Sequence, residues 1–149
     1  MKIFFEAIRQ IRSEFGQENT LFMHLTLLPK LGATGEVKTK PTQHSVNSLR
    51  AMGIQPDFLV CRSDEEFDNS IKSKLSLHCD VKLERIFSLE TLDTIYAVPI
   101  ALESQGMGDK VSEFLNLDKS KSDLKEWNKM VNVIRDDKKN LNIGIIGKY

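Results

Sequence analysis

Apolar residues recur at helical spacing along the chain, and short, densely apolar runs lie between these segments. A first helix is predicted from residues three or four positions apart: Phe4, Ile8, Ile11 and Phe15. Gly16 is expected to end it, because glycine adopts the left-handed conformation at little cost. Residues 20–28 are rich in Leu, Phe and Met and are closed by Pro29, which predicts a buried strand.

The pattern continues as alternating helices and strands. Residues 31–43 lack periodicity and are predicted to be a loop, followed by a helix that starts near Thr42 or Gln43. That helix is identified by the apolar stripe of Val46, Leu49 and Met52, and Gly53 is expected to end it. The segment 57–61 is predicted to be a second buried strand. A third helix is predicted next, because Ser63 and Glu66 have the spacing of a capping box. Its inward residues are Phe67, Ile71 and Leu75.

The remaining pattern predicts an α/β fold followed by a polar connection. Residues 86–89 form a third strand, and 91–117 form one or two helices that break near Gly106 and Gly108. Strands that alternate with helices indicate a mainly parallel sheet. Beyond it, residues 118–123 and 136–140 are polar and enclose an amphipathic helix with Leu124, Trp127, Val131 and Ile134. Residues 141–146 are predicted to be the first strand of a further domain whose remainder is missing.

Composition and charge narrow the function classes. Of 149 residues, 40% are hydrophobic, and 21 basic residues balance 21 acidic ones, so bulk attraction to nucleic acid or anionic membranes is not expected. The longest apolar run, 95–102, contains a proline and is too short to span a membrane. We therefore expect a cytoplasmic protein. The two cysteines, Cys61 and Cys79, have no metal or redox spacing, and no nucleophile or metal site is expected.

The segment 35–44 carries the most informative polar residues. Between residues 28 and 50 there are four basic residues against the single acid Glu36. Lys38 and Lys40 are two positions apart, so an extended backbone would direct both ammonium groups to one side. The helix N-terminus that follows favours phosphate. A solvated, lysine-bearing connection is the alternative interpretation.

Two further basic residues merit attention. Lys74 is placed on the apolar stripe of the third helix, while Lys72 is predicted to point away, so Lys74 either extends to water or meets an anion. Arg62 lies at the carboxyl end of a predicted strand, where open α/β sheets bind ligands. An ion pair of Arg62 with Asp64 or Glu65 is the alternative.

The segment 38–46, preceded by Gly35-Glu36-Val37, resembles the pyrimidine-nucleotide loop of the CTP synthase family. The similarity continues in order over nearly the whole chain, in residues 21–27, 53–57, 60–63, 93–96, 122–127 and 143–149. That family makes CTP from UTP, ATP and glutamine. An amidoligase domain with a P-loop-type fold phosphorylates the uracil oxygen, and a glutaminase domain supplies ammonia.

The resemblance implies part of a doubly wound, mainly parallel P-loop-type sheet with flanking helices, and a truncated chain. Residues 1–117 would be the C-terminal part of the amidoligase domain, 118–140 the interdomain linker and 141–149 the first glutaminase strand. The implied UTP- or CTP-binding residues are Lys38, Thr39, Lys40, Pro41, Thr42, Gln43 and Lys74. The implied ATP contacts are Glu90, Thr91 and Leu92.

The resemblance also implies cofactors and partners. ATP and Mg²⁺ serve the family, but its phosphate loop and metal carboxylates lie upstream of this sequence and its glutaminase nucleophile lies downstream. We therefore expect no catalytic or metal-binding residue here, and no activity from the piece alone. Expected partners are UTP or CTP and a complete CTP synthase or the missing segments, in a family that forms homotetramers. The alternatives are a non-catalytic nucleotide-binding or assembly module and a decaying gene fragment.

Overall fold

A computed structural model describes residues 2–32, 35–118, 122–136 and 141–148. The predicted loop positions 33–34, linker positions 119–121 and 137–140, and both end residues lie outside the described residues. Within them, helices and strands alternate as α1 Lys2–Phe15, β1 Met23–Leu27, α2 Lys40–Ala51, β2 Phe58–Ser63, α3 Asn69–Cys79, β3 Ile86–Glu90, α4 Val98–Ser104, α5 Met107–Phe114 and α6 Lys125–Arg135. Short 3₁₀ turns occur at Gln17–Asn19, Leu83–Arg85 and Ile95–Ala97.

The described strands form one parallel sheet in the order β1-β2-β3, which confirms the predicted α/β class. Met23 pairs with Phe58 in one ladder, and Leu59 pairs with Ile86 in the other. Strand β2 is central, and five of its six residues are buried. A continuous apolar run is typical of a strand covered on both faces, and this explains why the run 58–61 predicts β2 correctly.

Helices cover both faces of the sheet, as in a doubly wound fold. On one face, α2 and α3 pack over a core of Leu28, Val46, Leu59, Cys61, Phe67, Leu75, Cys79, Val81 and Ile86. On the other face, residues of α4 and α5 pack against Phe58, Val60 and Phe87. Phe58 stacks on Phe87 with 6.1 Å between ring centroids and meets Phe114 edge-on at 5.6 Å. The break between α4 and α5 falls at Gly106, whose φ of 75° ends the first helix as predicted.

Strand β1 is less buried than the sequence predicts. It lies at the edge of the described sheet. Met23, Leu25 and Leu27 share the sheet face against which α4 and α5 pack, but those helices leave these three side chains exposed. The apolar side chains of α1 are exposed as well, and Phe4 has 74% of its surface accessible. The prediction of a buried strand is therefore wrong, because a densely apolar sequence does not reveal whether a neighbouring element covers it.

Two helix starts also differ from prediction. Helix α2 begins at Lys40 rather than near Thr42, because Pro41 has a fixed φ that suits the first helical turn. The predicted capping box at Ser63 is wrong, since that residue still belongs to β2 and donates its hydroxyl to the backbone oxygen of Glu65. Asp68 caps α3 instead, and its carboxylate accepts from the backbone N–H of Ile71 at 3.0 Å.

The predicted amphipathic helix after residue 118 is α6, and it packs against the turn that follows β3. Trp127 donates its indole N–H to the backbone oxygen of Tyr96 at 2.7 Å. Arg135 holds the carboxylate of Asp93 with two hydrogen bonds of 2.7 Å each. Residues 141–148 have no secondary structure in this chain. Because a strand requires a hydrogen-bonded partner, the strand expected there as the start of a further domain stays a prediction. Across the described ranges, no helix combines the length and hydropathy required for a membrane span.

An ion pair on the amino-terminal side of the sheet connects α1 to the segments that precede β1 and β2. The two terminal guanidinium nitrogens of Arg12 donate to the carboxylate of Asp57, and the two side chains are only 18% and 7% exposed. Arg12 also binds the hydroxyl and carbonyl of Thr20, at 3.0 Å each, and stacks 3.7 Å from the ring centroid of Phe22. Asp57 in turn accepts the backbone N–H of Phe22 at 2.7 Å. This pair therefore fixes the entry into β1.

We expect Arg12→Ala to lower the free energy of unfolding by about 3 kcal/mol, because it leaves the Asp57 carboxylate largely buried and without its partner. The matched control is Arg9→Ala. Arg9 pairs with Glu6 on the exposed surface of α1, where solvent screens the pair and the loss should be much smaller. Urea unfolding followed by circular dichroism measures both. Equal losses in the two variants would contradict this role for Arg12.

Candidate functional site

The carboxyl ends of the parallel strands lie at one edge of the sheet, and the candidate residues follow those ends. Residues 28–39 connect β1 to α2, residues 64–68 connect β2 to α3, and residues 91–94 follow β3. Because α2 starts after β1 ends, its N-terminus lies at this same edge. Open α/β sheets bind ligands in the crevices at this edge.

Backbone hydrogen bonds hold the described residues of the loop after β1. Residues Lys30 and Val37 form an antiparallel bridge, and the Leu31 N–H donates to the Glu36 carbonyl at 3.0 Å. The Lys30 ammonium pairs with the Glu65 carboxylate at 2.7 Å, which joins this loop to the loop after β2. These contacts fix the backbone of residues 36 and 37 immediately before the predicted lysine motif.

The N-terminal turn of α2 contains four of the predicted nucleotide-binding residues. Thr39 occupies the N-cap position with a helical backbone, so the extended spacing predicted for Lys38 and Lys40 is wrong. No side chain caps this helix, since the Thr39 hydroxyl instead accepts the amide of Gln43 at 3.1 Å. The first N–H groups of a helix lack partners within it. Lys40 and Pro41 are exposed at this turn.

Thr42 has a structural position, although it belongs to the predicted motif. Its side chain is fully buried, and its hydroxyl donates to the Leu27 carbonyl at 3.0 Å and lies 2.9 Å from the Thr26 hydroxyl. One turn further along α2, Ser45 lies 2.9 Å from a ring nitrogen of His24. These contacts attach the start of α2 to β1, so we assign the Thr42 hydroxyl to positioning rather than to ligand binding.

Two basic side chains act on one carboxylate of this loop. The ammonium group of Lys38 lies 2.5 Å from the Glu36 carboxylate. The hydrogen bond and charge of Lys38, with a smaller contribution from the charge of Lys74, hold the pKa of Glu36 below its ordinary value. The charge of Lys74 thus acts on a residue of this loop. The structure does not place Lys74 on the apolar stripe.

The burial of the two α3 lysines is the reverse of the prediction. Lys74 is exposed, whereas Lys72 is half-buried. The inward positions of α3 are Ile71, Leu75 and Cys79 at intervals of four, and Lys74 lies about 100° around the helix from Leu75, outside that face. Lys74 needs no anion to offset burial, and its significance comes from the action of its charge on Glu36.

A cleft follows β3, and the predicted ATP contacts are among the residues that line it. Its volume is about 240 Å³, and it is lined by Leu25, Arg62, Leu89, Glu90, Thr91, Leu92, Thr94, Ile95 and Val98. Arg62 is exposed here, and its predicted partner Glu65 pairs with Lys30 instead. The residues of the lysine motif do not line this cleft. The candidate residues therefore divide into two neighbouring regions of the same edge.

Three contributors to the site are not apparent from sequence spacing. In the sequence, Glu36 is only the single acid between residues 28 and 50. Thr26 is only a residue of a predicted strand, and Lys30 is only one of several basic residues. The alternation of β1 could have found Thr26, which lies on the same face as His24 and points toward α2. No sequence signal pairs Lys30 with Glu65, because 35 positions separate them.

Titratable groups offer little further chemistry. Burial raises the pKa of the Cys61 thiol to about 12, and burial also raises that of Cys79, so both thiols stay protonated near neutrality. Among the described residues, no group of three or more His, Cys, Asp or Glu side chains is arranged to hold a metal ion.

Comparison with known proteins identifies relatives of this sequence. The family model described as "CTP synthase N-terminus" matches residues 1–117. The CTP synthases of two strains of Dehalococcoides mccartyi are each 48% identical over 146 residues, which are 98% of this chain and 27% of those proteins. The CTP synthase of Lawsonia intracellularis is 45% identical over 146 residues, with coverages of 98% and 26%. The chain thus spans about a quarter of the length of the curated relatives it matches.

His24 makes stability depend on pH. Burial lowers its pKa below the ordinary value of about 6.5, so the folded protein binds this proton less readily than the unfolded chain. The contribution is complete above about pH 6.5 and is lost progressively as the pH falls below it. We expect urea unfolding at pH 5.5 to show lower stability than at pH 7.5, and His24→Gln to reduce that difference. The exposed His44→Gln is the control, and a pH difference unchanged in His24→Gln would refute the assignment.

Proposed function

The chain belongs to the CTP synthase family, and on that premise we propose that it carries the pyrimidine-nucleotide loop of that family. Residues 38–43 and Lys74 form the site for the triphosphate of UTP as substrate or of CTP as feedback inhibitor. The observation that supports this most directly is the position of Lys38 and the exposed Lys40 at the start of α2, where the first helical N–H groups lack partners within the helix. Polyphosphate binding requires clustered cations together with backbone donors.

Each residue of the loop has a distinct part in the proposal. The ammonium groups of Lys38, Lys40 and Lys74 neutralise phosphate charge. Pro41 fixes the backbone of the first turn of α2, and the first N–H groups of the helix donate to phosphate oxygens. Thr39 and Gln43 are linked to each other, and Thr42 anchors the turn to β1. The buried threonines thus hold the turn while the exposed lysines contact the ligand.

ATP is the proposed ligand of the cleft after β3. The apolar side chains of Leu25, Leu89 and Ile95 provide walls suited to a planar base, and Arg62 offers a guanidinium for phosphate. Glu90, Thr91 and Leu92 would contribute backbone contacts along one side. The described residues do not fit Mg²⁺, because they include no suitable cluster of ligands. We therefore assign no metal-dependent step to these residues.

The domain assignment follows from the same premise. We propose that residues 1–117 belong to the amidoligase domain, 118–140 to the linker and 141–149 to the start of the glutaminase domain. We propose that the chain has a role in CTP synthesis as part of a whole protein that uses ATP, glutamine and UTP in the cytoplasm. The present residues contribute nucleotide binding to that reaction and do not complete it alone.

A second candidate function is that of an assembly module without catalysis. The observation that favours it is the exposed apolar surface formed by α1 and β1, which includes Phe4, Phe15 and Leu25. Large exposed apolar patches mark sites of protein contact. A complete CTP synthase or the remaining segments of the family fold would be the partner. Sedimentation of the chain with and without a complete synthase distinguishes this function from nucleotide binding alone.

Calorimetry with CTP and with UTP tests the nucleotide site. We expect Lys38→Ala and Lys40→Ala each to weaken binding by about tenfold or more, since hydrogen bonds to charged groups contribute about 1.5–3 kcal/mol. Lys129→Ala is the matched control, because that lysine is exposed on α6, outside the proposed site. Equal affinities in all four proteins, or no heat from the wild type, would contradict the proposal.

A turnover assay tests whether the chain alone forms CTP. Incubation with glutamine, UTP, ATP and Mg²⁺ should form no CTP, because phosphoryl transfer depends on positioned metal ions and phosphate-binding groups. A complete CTP synthase under the same conditions verifies the chromatographic detection of CTP. Formation of CTP by the chain alone would refute the claim that it binds without turning over.

A further inference from the structure

The side chain of Gln105 occupies one edge of β3. Its Oε1 accepts the backbone N–H of Ser88 at 3.0 Å, and its Nε2 donates to the Ser88 carbonyl at 2.7 Å. Among the described strands only β2 pairs with β3, so the other edge of β3 faces no described strand. One side-chain amide thus supplies the acceptor and the donor that the peptide groups of a further strand would supply.

The same amide also attaches β3 to α4. The Nε2 of Gln105 donates to the carbonyl of Ala101 within α4 at 3.1 Å, so both donors of this nitrogen are used. Gln105 directly follows the last residue of α4 and is half-buried, and Ser88 is only 4% exposed. The separation of β3 and α4 at this point is therefore held by three hydrogen bonds of a single side chain.

The cleft after β3 lies between these two elements. One wall is formed by residues 89–92, which directly follow Ser88. The opposite wall includes Val98, which begins α4 one turn before Ala101. Gln105 is not among the described residues that line the cleft. It therefore acts on a ligand there through the positions of the two walls.

We propose that Gln105 is a positioning residue of the cleft after β3: by holding the edge of β3 to α4, it sets the separation of the walls between which ATP binds. The inference rests on the ATP site of the proposed function, which it deepens. Apolar walls attract a planar base only at van der Waals distance, so a small change in their separation weakens binding. The lysine motif follows β1, on the opposite side of the sheet, and its affinity for CTP should not depend on Gln105.

The first test is calorimetric titration of the full chain with ATP and, separately, with CTP. Gln105→Met keeps the length of the side chain and removes its three hydrogen bonds. We expect it to weaken ATP binding by about tenfold, as the loss of neutral hydrogen bonds implies, and to leave CTP binding unchanged.

Gln55→Met is the matched control for general destabilisation. The Gln55 amide likewise donates to backbone carbonyls, those of Cys79 and Asp80, but on the amino-terminal side of the sheet. The same substitution there also removes hydrogen bonds that join two segments. Its affinity for ATP should equal that of the wild type, because the walls of the cleft keep their separation.

Gln105→Glu supplies a readout that a merely structural effect would not produce. The protonated carboxyl group both accepts and donates, as the amide does, whereas the ionised group has no donor for the Ser88 carbonyl. The carbonyl oxygens of Ser88 and Ala101 favour the protonated form, so the pKa of the introduced carboxyl should lie above the ordinary value of about 4.3. We expect the ATP affinity of this variant, relative to the wild type at the same pH, to recover between about pH 8 and about pH 5. Circular dichroism at each pH verifies folding.

The outcomes separate this inference from the proposed function. If the wild type binds ATP and Gln105→Met binds it equally well, the inference is wrong and the proposed ATP site stands. If Gln55→Met weakens ATP binding as much, or if Gln105→Met weakens CTP binding equally, the effect is general and the inference is again wrong. An ATP affinity of Gln105→Glu that does not recover at low pH also contradicts it, even where Gln105→Met does not fold. If the wild type binds no ATP, the proposed ATP site fails and the inference fails with it, while the titration with CTP still tests the lysine motif.

Discussion

Parallel pairing of β1, β2 and β3 is the constraint on which the remaining features depend. It directs all three carboxyl ends to one edge and thereby brings loops that are distant in sequence next to one another. The ion pair between Lys30 and Glu65 spans two of those loops. The N-terminus of α2 reaches the same edge because the helix must run back across the sheet to connect two parallel strands. Without this pairing, the lysine motif and the cleft after β3 would not be neighbours.

At that edge, buried polar contacts and exposed charges have different parts. The buried Thr42 hydroxyl contacts the Thr26 hydroxyl and the Leu27 carbonyl, and these contacts hold the first turn of α2 against β1. Lys40 and Lys74 are exposed, and Lys38 is half-buried. Such a division is expected where a rigid backbone must present mobile charged groups to a ligand. It also explains how a motif of consecutive residues combines anchoring and binding positions.

The sequence predicts the elements better than it predicts their surroundings. Strand β2 and the break at Gly106 are correct, because a continuous apolar run and a helix-ending glycine are local signals. The burial of β1 is wrong, because cover by other elements is not a local property. The predicted start of α2 and the predicted burial of Lys74 are wrong, because neither the first helical residue nor the limits of a buried helix face follow from spacing alone. Glu36 was not recognised as a partner, because nothing in spacing shows which charges meet.

The central claim is that the turn from Lys38 to Gln43 receives the phosphates of a pyrimidine nucleotide. Backbone amide chemical shifts, recorded by heteronuclear NMR during titration with CTP, test it most directly because they locate the ligand residue by residue. The account predicts that the largest changes fall on residues 38–43 and on Lys74, and that α6 changes little. Changes confined to another part of the surface, with those residues unaffected, would contradict it.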